Sequence, residues 1–371
     1  MTPATVFITH IRRFDWLLLG SVLFLMALGL IALFSISRIA PLPFFTRQIV
    51  WIGVGVLGLF AASFVDFRVF RTQGAVVLLC YLVSVFLLGL VLVASHGIRG
   101  IDAWLTIGGV SLQPVELAKL SLVILLAKFF SKRHVEIYRI QHLAVSGLYL
   151  AVPCLLVLAQ PDLGSAVVLV AIWFAVILFS GIKLRHFFVL LVLGAFIAGG
   201  FWHWGLAGYQ KARITSFLDP YEDPQGAGYQ MIQAMIAVGS GRIWGKGLGY
   251  GSQSHLNFLP EPQADFIFAA FAEEWGFVGA VLLLILLGII LWRMVAIGSR
   301  SADNFSRLYA LGFAALIFAQ SFIHIGANMG VLPITGITLP FMSYGGSSLI
   351  TLLLGVGILQ NIHINARKDV E

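Results

Sequence analysis

The stretch WLLLGSVLFLMALGLIALFS, residues 16–35, carries no charged side chain. A bilayer core about 30 Å thick is crossed by about 20 apolar helical residues, so this run predicts a membrane span. It lacks a small-x-small cleavage site and reads as a retained first helix rather than a signal peptide. The same pattern recurs along the chain. Apolar segments of spanning length lie at 15–37, 47–66, 73–95, 113–131, 141–160, 163–182, 185–204, 264–292, 306–327 and 341–363. Of the 371 residues, 60% are hydrophobic and 11% charged, against about 25% charged in soluble domains. The mean hydropathy is +0.98. The expected fold is an all-α integral membrane protein, a single polytopic domain over 1–371. It has about ten transmembrane helices, a long extracytoplasmic loop at 205–263 and a broken C-terminal segment.

Basic residues set the expected orientation. With the N-terminus cytoplasmic, 15 of the 23 Lys and Arg fall inside and seven outside, with Lys119 left within a span. Both termini are therefore expected in the cytoplasm. The net charge of +7 is accounted for by basic inner loops against anionic lipid headgroups, without nucleic acid. Cys80 and Cys154 lie in apolar runs with no CxxC and no His cluster, which argues against a disulfide framework or a zinc site.

In so apolar a chain the carboxylates stand out. PQADFIFAAFAEEWG, 262–276, holds Asp265, Glu273 and Glu274. Asp265 and Glu273 are eight residues apart, about 80° around a helix, and can face one cavity. A lipid-facing carboxylate at mid-membrane costs roughly 2.5–3.5 kcal/mol, so these groups are expected to face the bundle interior. Asp265 suits a base at the mouth of a site, while Glu273 and Glu274 suit either an ion pair or a tuning role.

In QPVELAKL, 113–120, Glu116 and Lys119 are three apart on one helical face and can pair, either to hold the fold or to touch substrate. Asp162 of QPDLGSA, 160–166, either caps the next helix or contacts substrate. Gln210 and Arg213 of YQKAR, 209–213, offer donors suited to phosphate. Glycine-rich GSGRIWGKGLGYG, 239–251, adds Arg242 and Lys246 but is no Walker pattern. In NMGVLPITGITLPFMSYGGSS, 328–348, Pro333, Gly336, Pro340, Gly345 and Gly346 forbid a continuous helix. Broken backbone at membrane depth lines a cavity or is buried in protein, which makes Ser343 a candidate contact.

That last run resembles the signature of the shape, elongation, division and sporulation (SEDS) family. QPVELAKL, QPDLGSA, FLDPYEDPQGAGYQ, GSGRIWGKG and FLPEPQADFIFAAFAEEWG support it, in the family's order, from about residue 97 onward. FDWLLLG near the start and VDFR at 65–68 are most similar to the RodA branch. The chain departs from the pattern at Ala103, Val115, Gln263, Ala264 and His324. The resemblance implies a peptidoglycan glycosyltransferase of the bacterial inner membrane. Such enzymes polymerise lipid II, a disaccharide-peptide on an undecaprenyl pyrophosphate carrier, beside a class B penicillin-binding protein. The family's essential aspartate precedes Phe-Ile-Phe, which here is Asp265.

On this reading Asp265 is the general base of an inverting displacement. Arg213, Lys246 or a divalent cation (Mg²⁺ or Mn²⁺) stabilises the leaving pyrophosphate, and no organic cofactor is implied. Glu116 and Lys119 shape the cavity. Intramembrane carboxylates and a broken helix also describe a transporter such as a lipid-precursor flippase, but no internal repeat is evident. A non-catalytic scaffold leaves Asp265 without a chemical task.

Overall fold

The computed structural model describes residues 10–37, 44–94, 104–107, 110–132, 140–205, 208–226 and 228–368. Arg38, Arg99, Ala103, Arg133 and Arg139, which entered the reading above, lie outside them.

Each expected span is a helix. The first is α1 (Trp16–Ser37), followed by α2 (Phe44–Phe64), a short α3 (Arg68–Thr72) and α4 (Gly74–Ala94). An antiparallel hairpin of β1 (Leu105–Ile107) and β2 (Val110–Leu112) sets Leu105 opposite Leu112. Then come α5 (Pro114–Ser131), α6 (Ile140–Ala159), α7 (Leu163–Phe179) and α8 (Leu184–Gly200). Among the described residues, eight helices are long and apolar enough to cross a membrane. Two more of the ten expected spans fall short for local reasons. α5 carries Glu116, Lys119 and Lys128, and α7 has 17 residues.

The 205–263 region alternates helix with turns, with α9 (Gly208–Leu218), α10 (Tyr229–Ser240) and α11 (Ser252–His255). The chain then re-enters the bundle as α12 (Ile267–Arg300), α13 (Asn304–Asn328) and α14 (Gly346–Lys368). Two boundaries differ from expectation. The last helix starts at Gly346 rather than 341, because 330–345 is extended and turned, with Gly330 and Gly336 at φ 75° and 74°. The span at 264–292 is not one continuous helix. α12 breaks at Gly276, whose φ of 65° and ψ of −164° are open essentially to glycine alone.

α5, α7, α13 and α14 supply the heart of the core, with Leu122, Leu169, Phe313 and Leu353 fully buried. α8, by contrast, leaves Phe188, Val189, Val192 and Phe196 exposed, apolar surface suited to lipid. At the end of the bundle far from Asp265, three helices are tied by one knot. The Asp15 carboxylate accepts from Arg293 Nε at 2.9 Å and Nη2 at 2.5 Å. Gln360 of α14 binds the Asp15 backbone on both sides, accepting from its N–H at 2.8 Å and donating to its carbonyl at 3.1 Å.

Candidate active site

Asp265 sits half-buried in the turn that leads into α12. The Glu261 carbonyl accepts from the Ala264 and Asp265 amides at 3.1 and 3.2 Å, tightening that turn. Asn328, at the end of α13, straddles the entry. Its Nδ2 donates to the Asp265 carbonyl at 3.0 Å and to the His324 carbonyl at 2.8 Å, while its Oδ1 accepts from the Ala269 amide at 3.0 Å. A side-chain amide can serve two backbones this way because it both donates and accepts.

The broken segment closes over the same turn. A Cβ placed on Gly336 would lie 3.7 Å from Asp265 Oδ2. Ser343 is buried and fully engaged. Its Oγ accepts from the Leu339 amide at 2.8 Å and donates to the Ala264 carbonyl at 2.9 Å. The Tyr344 amide reaches the Gln263 carbonyl at 2.9 Å. Gln48 of α2 backs the segment from behind, donating to the Ser343 carbonyl at 3.2 Å. His324 Nδ1 donates to the Ile337 carbonyl at 2.7 Å. Ser343 thus holds the segment against Asp265's turn rather than standing open as a contact.

Beside this turn a cleft of about 140 Å³ is lined by Pro161, Leu163, Gln210, Arg213, Pro333 and Thr335, among others. Gln210 is buried and Arg213 exposed at its edge. Its walls are mostly apolar, and Thr335 directly precedes Gly336, the residue that approaches Asp265 Oδ2. Asp162 caps α7, its Oδ1 accepting from the Ser165 amide at 2.9 Å, which matches the capping reading.

Glu116 and Lys119 form a buried pair at 2.8 Å, with side-chain exposures of 6% and 1%. Gln320 Nε2 lies 3.5 Å from Glu116 Oε2 and joins α13 to the pair. Lys246 and Glu273 are also paired, at 2.7 Å, but neither lines the cleft. Gln210 and Arg213 therefore line this cleft, whereas Asp265 and Ser343 belong to the neighbouring turn and the broken segment held against it. The structure sets Glu116–Lys119 deeper in the bundle and Lys246–Glu273 in a separate contact.

Sequence reasoning missed Gln48 and Asn328, whose amides pin the site. Asn328 opens the signature run, but its partners at Asp265 and Ala269, like Gln48's at Ser343, lie far along the chain. Among the described residues, no three His, Cys, Asp or Glu side chains come together to hold a metal ion.

Residues 15–368 match the family model of the cell cycle proteins FtsW, RodA and SpoVE. Stage V sporulation protein E of Bacillus subtilis is 39% identical over 360 residues, covering 94% of this chain and 96% of the relative. Peptidoglycan glycosyltransferase MrdB of Escherichia coli K12 is 39% identical over 289 residues, covering 77% and 78%. A solved chain described under structural coordination of polymerization and crosslinking by a peptidoglycan synthase complex superposes with a TM-score of 0.80. It is 35% identical and covers 96% of this chain and 99% of its own.

Proposed function

The chain belongs to the FtsW, RodA and SpoVE family and is a multi-pass membrane peptidoglycan glycosyltransferase, and from that premise we propose that Asp265 is the general base of lipid II polymerisation. The observation that carries this reading is the Asp265 turn. Asn328 holds the Asp265 backbone carbonyl, the half-buried carboxylate faces the broken segment at Gly336, and the same segment lines, through Pro333 and Thr335, a mostly apolar cleft with Arg213 at its edge.

The donor sugar is α-linked to its carrier and the polymer is β-1,4-linked, so the displacement inverts. Asp265 takes the proton of the acceptor's 4-hydroxyl as its oxygen attacks the donor's anomeric carbon. The anomeric C–O bond to pyrophosphate breaks, and the undecaprenyl pyrophosphate leaves with the electron pair. The Arg213 guanidinium offsets its growing charge, with Gln210 as a neutral donor. The apolar walls suit the prenyl chain. A divalent cation, when bound, would sit on the pyrophosphate oxygens and share this charge with Arg213, as Mg²⁺ commonly does with few protein ligands.

The excess of basic residues at one set of loops favours cytoplasmic termini, with Asp265 at the outer face of the inner membrane. A class B penicillin-binding protein is the proposed partner, in keeping with the synthase complex from which the similar chain comes. We assign the enzyme to cell elongation on FDWLLLG and VDFR. A sporulation role draws on the equal 39% identity to the Bacillus protein, and a division role on FtsW relatives at 36% and 40% identity.

The test is polymerisation of fluorescent lipid II by purified protein, with and without partner and Mg²⁺ or Mn²⁺. Wild type is expected to make glycan chains, and Asp265→Ala and Asp265→Asn to lose roughly 10²–10⁴ of the rate. Normal chains from either variant at normal protein levels overturn the assignment.

A further inference from the structure

Glu273 and Glu274 are more deeply buried than Asp265, at 0% and 4% exposure. Both carboxylates point at the loop between α10 and α12. Glu273 accepts from Lys246 Nζ at 2.7 Å, Ser252 Oγ at 3.1 Å, and the Gln253 and Ser254 amides at 3.0 and 3.3 Å. Glu274 accepts from the Gly249 amide at 3.2 Å, from Ser35 Oγ of α1 at 2.5 Å, and lies 3.1 Å from His255 Nε2.

The break in α12 completes the joint. Turning out of the helix at Gly276 frees backbone groups that the loop takes up. The Glu273 and Glu274 carbonyls accept from the Lys246 and Gly247 amides, both at 3.0 Å. The Phe277 and Val278 amides donate to the Arg242 and Ile243 carbonyls at 2.8 and 3.1 Å. The two backbones touch directly. A Cβ on Gly276 would fall 2.2 Å from the Gly245 nitrogen, and one on Gly245 would fall 2.0 Å from the Glu274 oxygen.

We propose that Glu273 and Lys246 are positioning residues for Asp265, and that Lys246 is not a ligand of the pyrophosphate. The inference rests on Asp265 being the base. The connection is continuous. Glu273 holds the amides of Gln253 and Ser254; the Gln253 carbonyl holds the Leu259 amide at 3.1 Å. Leu259 is buried in a small cluster with Phe266, Ala269 and Ala270, which flank Asp265 in sequence or lie one turn beyond. The turn at Glu261 then delivers Asp265. Lys246 is already spent within this joint, on Glu273 and on Ser252 Oγ at 2.7 Å. Swinging its ammonium to a phosphate leaves Glu273 charged in the interior without its cation.

The test pairs kinetics with hydrogen exchange on the full chain in detergent or nanodiscs, for Lys246→Met, Lys246→Arg and Glu273→Gln. The expected result is faster amide exchange across 253–266, and a kcat for lipid II lowered about tenfold to a hundredfold with KM unchanged. Lys246→Arg is expected to recover part of both. A raised KM with unaltered exchange makes Lys246 a substrate ligand and overturns the proposal. So does faster exchange with unaltered kcat. If Glu273→Gln does not fold, the Lys246 pair decides alone. Asp265→Asn run alongside separates the two readings: full activity there refutes Asp265 as base, whereas exchange over 253–266 is read without turnover.

Discussion

Two buried glutamates each hold a lysine, and they do so in opposite ways. Glu116 and Lys119 are neighbours on one helix, sealed in the bundle, with 2.8 Å between them. Glu273 and Lys246 lie 27 residues apart and bring a loop onto a helix at 2.7 Å, with the lysine side chain 30% exposed. Among the described residues Gln320 joins the first pair; the second carboxylate also takes two hydroxyl and two amide donors from Ser252–Ser254. Redundancy, not proximity in sequence, sets how much each lysine matters for stability.

The largest effect on stability is therefore expected at the local pair. Lys119→Met leaves Glu116 charged and nearly alone, costing about 3–5 kcal/mol, while Glu116→Gln with Lys119→Met recovers most of it. Thermal unfolding in detergent checks this, and a single variant as stable as wild type breaks the contrast. Gly276→Ala strikes the distant pair through its backbone, with about 1–3 kcal/mol from the disfavoured φ and ψ alone. Faster exchange at Lys246 and Gly247, whose amides depend on the break, is its signature. The smallest effect is expected at Asp162→Ala, about 1 kcal/mol from a lost cap, with KM for lipid II unchanged. A raised KM instead returns Asp162 to the substrate contacts.

The same contrast explains what the sequence makes legible. Spans, the Glu116–Lys119 pair and the Asp162 cap follow from hydrophobic length, helical spacing and a capping residue, all local. The broken segment is announced by its prolines and glycines. The break at Gly276 is not, because glycine inside an apolar run is common, and the turn at 242–247 that packs against it is what makes it necessary. Lys246 reads as a loose cation in a glycine-rich loop, yet those glycines at 245 and 276 let two backbones meet. Ser343 reads as a contact because it sits in a signature, and its hydroxyl proves to be occupied by Leu339 and Ala264. Gln48 carries no local mark, and Asn328, though it opens the signature run, shows nothing there of its bonds to Asp265 and Ala269.

The knot of Asp15, Arg293 and Gln360 has a consequence for how the chain is made. Asp15 and Gln360 are 345 residues apart. At about 5–20 residues per second, synthesis separates them by roughly 20–70 s. Throughout that interval the Asp15 backbone lacks Gln360, while Arg293 reaches its carboxylate before the last helix arrives. Closure of the knot thus waits for α14, and a ribosome that stalls within that helix leaves a protein whose α1 and α12 are paired but not locked.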